Sequence, residues 1–376
     1  QVAQRLLGCV RRSETVARLG GDEFVVMLED LSEKDGEAAV QVETVGLKIM
    51  QALNQPYDLG GSDYQNTPSI GIAMFSGLAV RVEELMKRAD IAMYQAKKTG
   101  RNAVRFFDPQ MQALVEQRSE LEIALRQALP QGQLQLYYQM QVDHHDNTLG
   151  AEVLLRWQHP QRGLVSPAQF IPLAEETGLI VPIGQWVLET ACQQLRVWAG
   201  MSAREHLKLS VNVSARQFRQ PDFCDQVALA LQRNGVQAHL LKLELTESLV
   251  PDNISETIAT MQALRALGVE FSMDDFGTGQ SSLSSLKKLP LQQLKIDQSF
   301  IRDIATDPDD AIIVQTIIAM ATNLGMEVIA EGVETTQQRD FLIDRGCLFF
   351  QGYLFGSPVP IADFEQRLNR RDAVAA

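Results

Sequence analysis

From residue 133 onward, short apolar runs alternate with longer stretches of helical periodicity. The runs fall at 134–142, 150–157, 207–213, 240–245, 269–274, 293–296, 326–330 and 348–355. Helical patterns fill most of the gaps, at 181–199, 222–234, 253–267, 309–324 and 335–345. About eight strands in about 250 residues is the arithmetic of a (β/α)8 barrel. Only a polar turn, Asp143 to Asn147, separates the first two runs. It leaves no room for a crossover helix, so this pair is expected to be antiparallel.

The first 108 residues also alternate. Residues 1–12 read as the tail of a helix. VARL and FVVML read as two strands joined at Gly20-Gly21, a hairpin signal. A helix is predicted over 35–54, a strand at Ser69–Met74, and a second helix at Val82–Lys98 closed by Gly100. Asp108-Pro109 is a helix-start pair, since Asp caps free N–H groups and Pro suits the first turn. The helix it opens carries apolar residues at Met111, Leu114, Val115, Leu121, Leu125 and Leu129, and stops at Pro130-Gln131-Gly132. The expected organisation is an α/β domain at 1–108, a helical linker at 109–130 and a barrel at 131–372.

Composition narrows the function classes. With 376 residues, 45% of them hydrophobic, the chain suits two soluble domains. A formal charge of −13 argues against a nucleic-acid partner, DNA or RNA, which needs a basic face. It leaves room for a small phosphate ligand held through cations. The four cysteines (Cys9, Cys192, Cys224, Cys347) form no CxxC pair and read as free thiols of a reducing compartment. No run approaches the roughly 18 apolar residues that span a bilayer. The opening VAQRLLGCVRR has no initiator Met and is not a signal peptide. The chain therefore reads as a cytoplasmic fragment of a longer parent, with any membrane or sensor segment upstream.

The chemistry lies at the strand ends. Glu152 stands in AEVLLRW, Asn212 in KLSVNVS, Glu244 in LKLELTE, Asp274 and Asp275 in VEFSMDDFGTG, Lys295 in LKID and Glu331 in VIAEGVE. Carboxylates delivered one per strand end suggest a ring of oxygen ligands at a barrel mouth, suited to hard cations such as Mg²⁺ or Mn²⁺. Adjacent aspartates closing a strand can serve two metals, and the glycines that follow let the backbone turn beside a ligand. DDFGTG alone is weak, because acidic glycine-rich turns are commonly solvated loops. Several strand glutamates together are stronger, because a buried carboxylate needs a partner. The five histidines show no metal spacing, and Trp157, Trp186 and Trp198 read as packing residues.

AEVLLRW, SVNVSARQF, LELTES, DDFGTGQSSL, LKID, AEGVET and QGYLFG, in this order, resemble the EAL-domain family of cyclic di-GMP phosphodiesterases over roughly 115–370. The resemblance implies a modified TIM barrel that linearises cyclic di-GMP to pGpG with two Mg²⁺ or Mn²⁺ ions, acting as a homodimer. It implies that Glu152, Asn212, Glu244 and Asp274 ligate one metal, and Asp274 with Asp275 the second. Lys295 would hold the nucleophilic water or the scissile phosphate. Glu331 is the candidate general base, and Gln351 would organise the site. Leu154 and Arg156 would contact the ligand backbone and phosphate, with Gln139 near the bound nucleotide. Glu247 would anchor the DDFGTG loop and link dimer contacts to the metals. Val153 replaces the family's Ala and Met140 its usual Pro, and neither change removes a functional group. A non-catalytic cyclic di-GMP receptor is the rival reading.

Arg18-Leu19-Gly20-Gly21-Asp22-Glu23-Phe24, with SIGIA and RADIAMYQAKKTGRN, resembles the GGDEF domain of diguanylate cyclases. That resemblance implies a module that binds GTP, with Asp22 and Glu23 at a metal or in catalysis. The family's first strand, with its metal-binding Asp, has no counterpart here, and at the RxxD inhibitory site Glu14 follows Arg11 where Asp is usual. The expected role of this module is therefore regulatory, with cyclase activity reserved for a longer parent.

Overall fold

The computed structural model describes residues 1–58, 63–77, 80–247, 254–277 and 286–375. The Thr278–Gly279 end of the DDFGTG motif and the serines after it lie outside the described residues, as does Ser248 of LTES. Two compact units divide the chain, Gln1–Ile123 and Ala124–Ala376. The division falls inside the helix Pro109–Ala128, not at its ends. Asp108 caps this helix as expected, accepting from the Gln110 N–H at 2.7 Å.

In the first unit, β1 (Thr15–Gly20) and β2 (Glu23–Met27) form the antiparallel hairpin expected around Gly21. A helix covers Asp35–Leu53, followed by a small hairpin of β3 (Tyr57–Asp58) and β4 (Asp63–Tyr64). β5 (Ser69–Ile72) pairs in parallel with β6 (Ala103–Phe106) across the helix Val82–Lys98. That helix sits so close to β5 that a Cβ on Gly71 would stand 2.1 Å from the Ala89 carbonyl oxygen. Ala39, Val42, Ile72, Phe106 and Val115 form a buried cluster, so the first part of the helix Pro109–Ala128 belongs to this core. The strands β3, β4 and β6 were not legible in the sequence. Each is only two to four residues long, too short for alternation to register.

The second unit begins with β7 (Leu134–Asp143) and β8 (Thr148–His159), antiparallel as expected. β9 (Gly163–Val165) folds back on β8. Then follow β10 (Lys208–Val213), β11 (Leu241–Thr246), β12 (Glu270–Phe276), β13 (Gln293–Ile296), β14 (Glu327–Ala330), β15 (Phe349–Gln351) and β16 (Val359–Pro360). Strands β8, β10, β11, β12, β13, β14 and β15 pair in parallel. β7 closes the ring, antiparallel to both β15 and β8. The eight-strand barrel is thus confirmed, with one reversed strand.

Helices at Pro167–Thr177, Ile180–Ala199, Phe223–Asn234, Ile254–Leu267, Pro308–Asn323, Thr336–Asp344 and Ile361–Ala375 accompany the strands. Local chemistry sets several of their ends: a Thr335–Gln338 capping box, Asp307 before Pro308, and left-handed Gly178 and Gly235. One face of each strand carries the core, with Leu209, Val211, Leu243, Leu245, Phe271, Met273, Leu294 and Ile296 buried. The alternate residues are polar: Ser210 and Asn212, Lys242 and Glu244, Ser272 and Asp274, Gln293 and Lys295. Their hydrogen bonds run strand to strand, so the barrel lumen is a polar stack. The run 348–355 yields strand only to Gln351, because at Gly352 the chain turns against the Val333 backbone. Among the described residues no helix is long and apolar enough to cross a membrane.

Candidate active site

Strand register brings the predicted residues to one end of the barrel. Asn212 lies beside Glu244, Thr246 beside Asp274, and Glu331 directly follows β14. At the centre is Lys295, fully buried. Its Nζ stands 2.6 Å from Glu244 Oε2, 2.6 Å from Glu331 Oε1, 3.0 Å from Asp274 Oδ1 and 3.3 Å from Glu152 Oε2. Four strands therefore deliver four carboxylates to one ammonium.

Glu152 is held at both oxygens. Asn212 Nδ2 donates to Oε1 at 2.6 Å, and Gln351 Nε2 donates to Oε2 at 2.6 Å. Asp275 needs a backbone device, since successive strand residues point to opposite faces. Its φ of 53° and the register break between Met273 and Phe276 turn it back toward Asp274. Such a conformation is strained for a non-glycine residue. Two carboxylate groups result, Glu152–Glu244–Asp274 and Asp274–Asp275–Glu331. In each, the oxygens lie within 4.8 Å of one another, and Asp274 belongs to both.

The electrostatics follow from crowding. Burial, the largest influence, raises the Glu244 carboxyl against the pull of Lys295, and with Glu152 and Asp274 adding to the rise it is pushed up to about 8. Burial likewise drives Glu331 well above the carboxylate range against the opposing pull of Lys295. Asp275 rises to about 6 through burial, then through Asp274 and Asp297. Glu152 goes the other way. Burial would raise it, but Lys295 and the amide donors of Gln351 and Asn212 bring it below the usual value. Lys295 is raised well above its ordinary value because the surrounding carboxylates overcome its burial. Among the described residues, Glu244 Oε1 is buried without a hydrogen-bond partner. An orphaned carboxylate oxygen inside an all-oxygen cluster of net negative charge fits a hard divalent cation.

The neighbouring candidates gather too. Leu154 and Arg156 continue the Glu152 face of β8, and the Arg156 guanidinium lies 5.5 Å from the Tyr137 ring centre. Gln139 pairs with Glu152 in the β7–β8 ladder and accepts from Gln351 at 3.1 Å. Buried Glu247 accepts from the Gly277 N–H at 3.4 Å, a contact with the start of the loop it was expected to anchor. Sequence reading missed Asp297 and Gln141. Asp297 caps the helix Gln298–Arg302 and raises Asp275. Gln141 is buried and bonded to Gln351. The available signal for Gln141 was the polar alternation Gln139-x-Gln141 inside an apolar strand.

The GGDEF-like residues are placed elsewhere. Gly20 ends β1, Gly21 takes a φ of 53° in the turn, and Glu23 and Phe24 open β2. The Arg18 guanidinium donates to the Gly21 carbonyl, and Phe24 packs into the core formed by Leu6, Ile49 and Leu53. Asp22 and Glu23 stand exposed at the hairpin tip. Among the described residues, both carboxylate groups able to share an ion lie in the barrel.

The EAL domain family model matches residues 122–358, more than half of the chain. The chain belongs to the EAL-domain family. The family model of the diguanylate cyclase GGDEF domain matches residues 1–103, ahead of the EAL barrel. The bifunctional diguanylate cyclase/cyclic di-GMP phosphodiesterase MucR of Pseudomonas aeruginosa is 44% identical over 361 residues, covering 96% of this chain and 52% of MucR. The cyclic di-GMP phosphodiesterase NbdA of the same organism is 42% identical, covering 98% of this chain and 46% of NbdA. This EAL protein thus spans about half the length of the curated relatives it matches. Among solved structures, the PaMucR phosphodiesterase in complex with c-di-GMP is 46% identical with a TM-score of 0.63, covering 65% of this chain and 99% of that one. The EAL enzyme Bd1971, bound to cAMP and cyclic di-GMP, is 33% identical with a TM-score of 0.66, covering 77% of this chain and 76% of that one.

Proposed function

We propose that the EAL barrel hydrolyses cyclic di-GMP to linear pGpG, with Mg²⁺ or Mn²⁺ as cofactor. The observation that carries this reading is charge: four carboxylates (Glu152, Glu244, Asp274, Glu331) crowd one ammonium at the barrel mouth, and Asp275 adds a fifth beside Asp274 and Glu331. Glu152, Asn212, Glu244 and Asp274 would hold one cation, and Asp274 with Asp275 the second. Bound there, the cations would supply a water of lowered pKa and neutralise the phosphodiester charge.

The protein's own groups account for the rest. A water attacks one phosphorus, the P–O3′ bond breaks, and the product carries a 5′-phosphate and a free 3′-hydroxyl. Glu331, 2.6 Å from the Lys295 ammonium and beside Asp274 and Asp275, would take the proton from the attacking water. The Lys295 ammonium, fixed among four carboxylates, would place a positive charge beside the reacting oxygens. Arg156 and Leu154, above Glu152 on the same strand face, would receive a phosphate and the dinucleotide backbone. Names of relatives support the substrate, since MucR and NbdA are cyclic di-GMP phosphodiesterases.

Chromatography of cyclic di-GMP incubated with the protein and Mn²⁺ should reveal pGpG. A chelator and the substitution Glu152→Ala should each abolish it. Absence of product from neutral to alkaline pH would refute hydrolysis, and tight binding without turnover would favour a receptor.

A further inference from the structure

We propose that Gln141 is a positioning residue of this site, fixing the amide of Gln351 and, through it, the carboxylate of Glu152. The idea rests on the metal-dependent reading above. Because β7 runs antiparallel to both neighbours, Gln141 lies opposite Gln351 on β15 while Gln139 lies opposite Glu152 on β8. Gln141 Nε2 donates to Gln351 Oε1 at 3.0 Å. With that oxygen engaged, the Gln351 amide nitrogen faces the other way, 2.6 Å from Glu152 Oε2 and 3.1 Å from Gln139 Oε1. The Gln141 oxygen in turn lies 3.5 Å from Ser210 Oγ, which donates to it. The donors thus run in one direction, Ser210 to Gln141 to Gln351 to Glu152.

All three glutamines and Glu152 are buried, so solvent cannot rescue a mismatched amide. A Gln351 amide turned by half a rotation would set its oxygen against the Glu152 carboxylate and its NH₂ against the NH₂ of Gln141. Two buried donors and two buried acceptors would then face their own kind. The amide of Gln141 removes that alternative. It acts at one remove from Glu152, as outer partners of metal ligands do.

The test is a Mn²⁺ titration of the intact chain, read by electron paramagnetic resonance of the free ion, with Gln141→Met, Gln351→Met and the double variant. Gln141→Met should weaken Mn²⁺ binding about tenfold to hundredfold. The double variant should bind no more weakly than Gln351→Met alone, because both changes break one relay. Unchanged affinity in Gln141→Met, or losses that multiply in the double variant, would overturn the proposal. If Gln141→Met fails to fold, Gln141→Asn withdraws the donor by one methylene and serves the same comparison. Ion binding is measured without turnover, so a chain that binds Mn²⁺ but forms no pGpG would sink the hydrolase reading and still test the relay.

Discussion

Lys295 illustrates how a buried charge is made tolerable. An ammonium with no exposure needs compensation, and it receives carboxylates from β8, β11, β12 and the end of β14. The crowding tells on Glu244, whose second oxygen has no partner among the described residues. Its carboxyl, pushed to about 8, binds a proton in the folded metal-free state that the unfolded chain releases near the ordinary carboxylate value of about 4.3. The sign of the linkage is therefore fixed. Stability from this group is full below the unfolded value and declines as pH rises, with none left above about 8. Thermal melts in chelator should give a Tm that falls between mildly acidic and alkaline pH. Glu244→Gln should flatten part of that fall while removing Mn²⁺ binding. Wild-type Mn²⁺ affinity should rise over the same interval, because the ion displaces a proton. A Tm curve unaltered by Glu244→Gln would contradict the assignment.

At the scale of elements, much was legible and the failures share a cause. The long strands and helices of the barrel repeat their apolar positions over enough residues to declare their period, and β7–β8 declared its antiparallel sense by its short turn. The ring of Glu152, Asn212, Glu244, Asp274, Lys295 and Glu331 was visible because each is a polar residue at an apolar run. Gln141 was not, since its meaning depends on lying opposite Gln351, 210 positions away in the chain. The helix Pro167–Thr177 was hidden by the internal Pro172. The fate of 348–355 was hidden by a close backbone approach that no local pattern encodes. At Gly352 a Cβ would stand 2.1 Å from the Val333 carbonyl oxygen, and Val333 N–H donates to the Gln351 carbonyl at 3.1 Å. This contact ties the residue after Gln351 to the residue two beyond Glu331. Gly352→Ala must push them apart, at a cost of about 1–3 kcal/mol typical of overpacking. We expect a lowered Tm together with weakened Mn²⁺ binding, where a remote overpacking change would lower Tm alone. Calorimetry with and without Mn²⁺ separates the two outcomes.

Taken whole, the chain joins a GGDEF-like unit to a barrel that contains every residue of the proposed site, for all of them lie beyond Ala124. The barrel is also self-sufficient in its packing. Its ring is closed by its own β7, and its helices cover its own strands. The PaMucR phosphodiesterase structure points the same way, because 65% of this chain accounts for 99% of that one. A fragment should therefore fold if it starts at Asp108, retaining the capped helix whose Leu125 and Ala128 are buried. Its turnover of cyclic di-GMP should match that of the 376-residue chain within about threefold, since a difference of 1.4 kcal/mol in barrier would already be about tenfold. Steady-state rates on the two proteins, at equal Mn²⁺, decide the matter. A fragment that folds, binds Mn²⁺ normally and turns over more than about tenfold slower or faster would mean that residues 1–107 act on the barrel's chemistry. Adding GTP to both proteins then distinguishes a regulated module from a passive one, because only the longer chain carries Gly20, Gly21, Asp22, Glu23 and Phe24. A GTP response confined to the longer chain is the outcome that assigns those residues a regulatory role.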